Sequence, residues 1–124
     1  MNKQPEITEA TRNTFIEAFC ELYKTRPMEK ITVKELVQKA GYSRATFYNY
    51  FKDAYELLEH IENEFIASLL DTITSNISNH DNFDSFVHVF VELVKSKEAY
   101  LNLFMNSSNN LSFIEKLKGK LFRY

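Results

Sequence analysis

Apolar residues recur every third or fourth position along most of the chain, and short polar clusters interrupt them. Phe15, Ala18, Phe19 and Leu22 stand one helical turn apart after Pro5 and Thr8, and the pattern stops near Thr25–Arg26–Pro27, which predicts a first helix. Thr32-Val33-Lys34-Glu35 then matches a capping box: the Thr hydroxyl accepts from the Glu35 amide, and the carboxylate returns to the Thr32 amide. Leu36, Val37 and Ala40 continue the buried stripe, and Gly41 supplies the left-handed residue that ends a second helix of about eight residues. Ser43 is placed to cap a third, short helix running to about Tyr50. Asp53-Ala54-Tyr55-Glu56 is another capping box, opening a long fourth helix. Its face is Leu57, Leu58, Ile61, Phe65, Ile66, Leu69 and Ile73, over about 20 residues that fade at Ser75–Asn79.

The polar stretch Asn76 to Asn82 reads as a loop, because Asn, Asp and Ser favour turns. Three further helices follow: Phe83 to Ser96, Lys97 to Asn106, and Leu111 to about Phe122. The pattern predicts an all-α fold. A three-helix head, residues 1–52, is joined by the long fourth helix to a second helical domain, residues 53–124. Helix, tight glycine-containing turn, helix is the spacing of a helix-turn-helix.

Within Gly41 to Phe51 the aromatic rings are interleaved with Arg, Thr and Asn instead of aliphatic residues. A helical wheel sets Phe51 beside Phe47 and sends Ala45, Tyr48, Asn49 and Lys52 to the far side, so two of the rings serve the core. Tyr48 and Tyr50 then project toward a flank or solvent, where a ring with a hydroxyl tip suits a docking surface. A helix that reads the DNA major groove needs side chains for base edges and flanking donors for phosphates. Arg44, Ala45, Thr46 and Asn49 supply the first: Arg suits guanine, Asn suits adenine, and Ala or a Thr methyl meets the thymine methyl. Tyr48, Tyr50 and Lys52 supply the second, with Thr32 and Lys34 at the start of the second helix for the opposite strand and Ser43 at the N-cap. On residue chemistry alone, the same side chains would equally suit a merely solvated short helix.

Composition narrows the choice. Apolar residues make up 44% and charged residues 26%, with two Gly and two Pro, a balance that fits a compact helical protein better than a sheet. Met1 to Lys52 carries nine Lys/Arg against six Asp/Glu, a net +3, and the remainder carries a net −5, so an anion-binding head on an acidic body is the expectation. No apolar run reaches the roughly 20 residues of a bilayer span, and the N-terminus lacks a signal-peptide centre, so no membrane association is expected and the default location is cytoplasmic. Cys20, the single cysteine, reads as a small buried hydrophobe. His60, His80 and His88 are scattered, with no ligand spacing between them, and no nucleophile has a base beside it. No metal, cofactor or catalytic residue is expected, and the chain is not read as an enzyme.

The run ITVKELVQKAGYSRATFYNYFKD, Ile31 to Asp53, followed by Leu57-Leu58, closely resembles the DNA-binding domain of TetR-family transcriptional regulators, over roughly Thr8 to Glu64. The resemblance implies a repressor whose dimer sets two recognition helices in successive major grooves of a pseudo-palindromic, double-stranded operator. A C-terminal domain would bind a small effector, with the fourth helix carrying that event to the heads. It also implies base-facing sites at Ala45, Thr46 and Asn49, a base or sugar-phosphate site at Tyr48, phosphate sites at Tyr50 and Lys52, and helix-two contacts at Thr32 and Lys34. Two features depart from the family. Tyr42 stands where a small aliphatic residue is usual, implying a repacked turn or an added contact to DNA or within the chain. The chain also stops near a seventh helix, whereas family members run longer and use later helices for the dimer, so the effector domain is expected to be truncated.

The second half is rich in rings, most of which a packed core would claim. Phe65, Phe86, Phe90, Tyr100 and Phe104 are the candidates for a pocket that takes a small apolar or aromatic effector. The alternative to a ligand-responsive homodimeric repressor is a protein-interaction module or coactivator of helix-turn-helix shape, with no effector. Met105 beside Phe104 and the turn from Ser107 to Asn110 would be its exposed edge.

Overall fold

The computed structural model of the chain describes residues 5–79, 83–96, 98–105 and 110–121. The fold is all-α, with α1 (Pro5–Tyr23), α2 (Val33–Ala40), α3 (Arg44–Tyr48), α4 (Ala54–Asn79), α5 (Phe83–Ser96), α6 (Glu98–Met105) and α7 (Asn110–Leu121) among the described residues. A 3-10 turn, Met28–Lys30, follows Pro27 and inserts Met28 into the core. The chain divides into two compact units, residues 1–61 and 62–124, so the head includes the first two turns of α4 as well as α1 to α3.

The head closes around aromatic rings. Phe15 and Phe19 of α1, Leu36 of α2, Phe47 of α3 and Leu57 of α4 are fully buried, and Tyr23, Phe51 and Val37 are nearly so. Phe15 meets Phe47 edge-on at 5.3 Å between centroids, and Phe47 meets Phe51 at 5.6 Å. Burial of each such side chain is worth about 1.5–3 kcal/mol, and tilted or edge-on ring pairs add about 0.5–1.5 kcal/mol. Phe47 and Phe51 thus occupy the core positions expected of them.

In the second unit Phe65, Ile66, Phe104 and Phe113 form the buried centre. Burial along α4 weakens after Ile66: Leu69 and Ile73, on the predicted apolar face, are only half-buried. The predicted loop at Asn76–Asn82 is corrected over its first half, since Asn76–Asn79 belong to α4, which reaches 26 residues. Extending an existing helix adds one hydrogen bond per residue fixed, so weak helix formers such as Asn and Ser do not stop it by themselves. His80 to Asn82, Lys97, Asn106, the Ser107 to Asn109 part of the turn, and the rings of Phe122 and Tyr124 lie outside the described residues.

Candidate nucleic-acid interface

Two capped starts and one glycine set the geometry of the helix-turn-helix. Thr32 caps α2, its Oγ1 accepting from the Glu35 amide at 3.2 Å. The carboxylate of Glu35 accepts from the Thr32 hydroxyl at 3.2 Å and also pairs with Arg26, so its return contact is to the side chain and not to the expected amide. Gly41 ends α2 at φ 81°, its amide and that of Tyr42 both donating to the Val37 carbonyl, at 2.8 and 3.1 Å. An L-residue with a Cβ rarely adopts that φ. Ser43 caps α3 by accepting from the Thr46 amide at 3.1 Å, and its hydroxyl also meets Thr46 Oγ1 at 3.0 Å. At the far end, Asp53 accepts from the Glu56 amide at 2.9 Å, and the Glu56 carboxylate accepts from the Lys52 amide at 3.0 Å. That carboxylate therefore reaches one residue further back than a standard capping box.

Helix α3 is shorter than predicted, because the chain tightens after Tyr48: Asn49 and Tyr50 donate three residues back, to Thr46 and Phe47, at 3.1 and 2.9 Å. Phe47 anchors the element inward, and the candidate base readers stand outward. Arg44, Ala45, Tyr48 and Asn49 are exposed, and Thr46 is half-buried. The hydroxyls of Ser43 and Thr46 are engaged with each other in the cap, which leaves the Thr46 methyl as its freer group. Among the candidate phosphate donors, Lys52, Lys34 and Thr32 are exposed and Tyr50 is half-buried. Lys34, Arg44 and Lys52 give this surface three exposed cations, while the Glu35 and Glu56 carboxylates are held in caps.

Helix α1 supports this element in a way the sequence reading missed. Tyr42 and Tyr50 both pack on Phe15, at 5.3 and 6.2 Å between centroids. The hydroxyls of Thr11 and Tyr42 meet at 3.4 Å, so Tyr42 makes a contact within the chain. The Arg12 guanidinium lies over the Tyr50 ring, 5.6 Å from its centroid, and pairs with Glu9. The available signal was spacing: Thr11 and Arg12 stand four and three residues before Phe15, on the same side of the helix.

The ring candidates of the second unit separate into two groups. Phe65, Tyr100 and Phe104 come together with Phe113, the tightest pair being Phe104 on Phe113 at 4.8 Å, nearly parallel. Phe86 and Phe90 pair with each other at 6.2 Å and, with Thr72, Ile73, Val89 and Leu93, line a shallow apolar dent too small to enclose a water. Met105 is exposed, whereas Phe104 is buried and offers no edge to a partner. Nearby, buried Glu62 of α4 accepts from Lys116 of α7 at 2.8 Å.

Cys20 is half-buried, and loss of hydration raises its thiol from the ordinary 9.0 to about 11, well above where a reactive thiolate forms. Among the described residues no group of three His, Cys, Asp or Glu is placed to hold a metal ion, and no helix is long and apolar enough to cross a membrane.

Comparison with known proteins places this geometry. Residues 15–61 match the family model described as bacterial regulatory proteins, tetR family. An uncharacterised HTH-type transcriptional regulator of Bacillus subtilis, YvdT, is 23% identical over 88 residues, 71% of this chain and 45% of the relative. The HTH-type transcriptional activator of the dhaKLM operon in Lactococcus lactis, DhaS, is 37% identical over 62 residues, 49% of this chain and 33% of the relative. The chain thus spans less than half the length of these curated relatives. Among solved structures, the fatty acid degradation regulator FadR of Bacillus halodurans superimposes with a TM-score of 0.70 at 18% identity, covering 98% of this chain and 65% of that one. That likeness is one of fold.

Proposed function

We propose that the protein, whose residues 15–61 match the model of the tetR family of bacterial regulatory proteins, is a DNA-binding transcriptional regulator. It acts as a dimer on a pseudo-palindromic operator and represses by occupying it. The observation that carries this reading is the division of labour in α3 and its C-cap: Phe47 is fully buried, while Arg44, Ala45, Tyr48 and the C-cap Asn49 are exposed. A side chain reads base edges only if its backbone is fixed, and the Ser43 cap, the Gly41 turn and the Phe15 support supply that fixity. Lys34, Lys52 and Tyr50 set the register on the phosphates, and Arg44, Ala45, Thr46 and Asn49 read bases. The lactococcal relative is named as an activator, the opposite sign of regulation. Such a protein works in the cytoplasm, beside the bacterial chromosome.

The second unit takes a small apolar or aromatic effector. The paired rings of Phe86 and Phe90 offer the apolar surface for it, the dent they line must widen to admit it, and α4, continuous through Ile61 and Glu62, is the path to the head. The effector must favour the conformer that cannot span the operator, a coupling of about 1–3 kcal/mol in typical allosteric proteins.

A second reading is a protein-interaction module without an effector. It is favoured by the exposed apolar residues Phe83, Val87, Phe90 and Val91 along α5. Mutational binding separates the two. Under the DNA reading, Asn49→Ala relaxes preference at one operator position and costs about 1–3 kcal/mol there, and Lys52→Ala weakens binding to all duplexes and lowers the salt slope by about one unit. Equal losses on specific and random DNA for both variants would remove base reading by α3.

A further inference from the structure

The DNA-facing set described above begins at Thr32, yet the same edge of the head carries a cation from α1. The Arg12 side chain is 30% exposed, lies over the Tyr50 ring and is held by Glu9, three residues earlier on the same helix. Guanidinium carries five N–H donors in a planar fork, and one carboxylate and one ring face leave part of that fork unspent. Tyr50 is the residue through which this cation would meet nucleic acid: it leans on Phe15, and the exposed Lys52 stands two residues on.

We infer that Arg12 is a phosphate-binding residue of the head, held by Glu9 in the free protein and transferred to a DNA phosphate oxygen on binding. This rests on the DNA-binding reading above. The exchange replaces one anion by another. It sacrifices an exposed ion pair between residues three apart, a class of interaction that contributes little to stability. It gains a charge-assisted, fork-shaped contact to phosphate, for which Arg is better suited than Lys. The Tyr50 ring holds the guanidinium in place through the exchange, so little side-chain freedom is lost at the moment of contact. Glu9 then acts as a brake: it neutralises Arg12 when DNA is absent and must be displaced when DNA is present.

The test uses the full chain and a fluorescent pool of random-sequence duplexes, titrated across a series of salt concentrations. Arg12→Ala is expected to weaken binding to the whole pool about three- to tenfold and to lower the log–log salt slope by about one unit. Arg12→Lys keeps the charge and therefore keeps the slope. Glu9→Gln removes the brake without opening a cavity and is expected to tighten binding about two- to fivefold. An unchanged salt slope for Arg12→Ala overturns the inference even if affinity falls, because support of the Tyr50 ring alone would not alter counterion release. A Glu9→Gln variant no tighter than the parent also overturns it, and this variant with Arg12→Lys decides the matter should Arg12→Ala fail to fold. Lys52→Ala in the same pool separates the two levels: if it lowers the slope and Arg12→Ala does not, only the role of Arg12 falls, whereas a parent chain that binds no duplex removes both.

Discussion

Residues 1–61 and 62–124 are of similar length but hold their helices by different means. In the head, α2 and α3 each begin on a capping side chain, α2 ends on a glycine at positive φ, and Phe15, Phe19 and Phe47 are shut from solvent. In the second unit α5 buries no residue completely, Phe83 is 75% exposed, and the buried centre rests on Phe65, Ile66, Phe104 and Phe113. Under the proposed function, the difference follows from what each would do. A surface that reads base edges tolerates little play in its backbone, so local chemistry and ring packing both fix it. A unit that responds to a ligand or partner is drawn from the less stable part of a molecule, where few apolar contacts resist rearrangement.

The largest expected effect sharpens that contrast. Phe47→Ala empties the centre of the head and should cost about 3–5 kcal/mol in chemical denaturation followed by circular dichroism, whereas Phe90→Ala should stay within about 0.5 kcal/mol. Similar losses for the two would erase the distinction between the units. Next comes the Glu62–Lys116 pair, a polar tie between α4 and α7 in the loosely packed unit. Glu62 is almost wholly buried and Lys116 is a quarter exposed, so Lys116→Met leaves a buried carboxylate without its cation and should cost roughly 1–3 kcal/mol, between the surface and fully buried limits. A neutral result by the same melts would mean that water reaches Glu62.

Backbone devices of the head come third. Gly41→Ala places a Cβ at φ 81° with nothing within 4 Å of it, so the penalty is conformational only, about 1–2 kcal/mol. Ser43→Ala, which deletes the α3 cap, should cost about 1 kcal/mol. Both should reduce operator affinity further than stability, because they loosen the reading helix, and paired melts and binding titrations check this. The smallest effect at neutral pH is at Cys20. The folded state holds its thiol protonated to about 11 against 9.0 in the unfolded chain, so its contribution to stability is complete below about pH 9 and is lost as pH rises toward 11. Cys20→Ala should flatten that alkaline decline, and an unchanged slope in pH-dependent denaturation would show the thiol to be hydrated.

What was legible in the sequence was local. Thr32, Ser43 and Asp53 each accept from an amide three residues on and Gly41 donates to a carbonyl four residues back, so their chemistry is written in the spacing, and Phe47 and Phe51 follow from the helical wheel. Contacts made between helices were not legible. Thr11 on Tyr42 and Arg12 over Tyr50 require α1 to lie against the turn and α3, a consequence of ring packing on Phe15 that no short window contains. The run Asn76–Asn79 misled because side-chain preference for turns is a weak force against an established helix. The five ring candidates share one character in sequence, yet packing gathers Phe65, Tyr100 and Phe104 and leaves Phe86 and Phe90 in a separate pair.

Whether α3 reads sequence is decided most directly by titrating the chain onto a pool of random duplexes at two salt concentrations, following anisotropy and sequencing the bound fraction. Sequence-specific reading by a dimer predicts salt-sensitive binding and enrichment of a palindrome whose half-sites lie about one helical turn apart, roughly 10 base pairs. A bound fraction with the same sequence composition as the starting pool at both salt concentrations would contradict it.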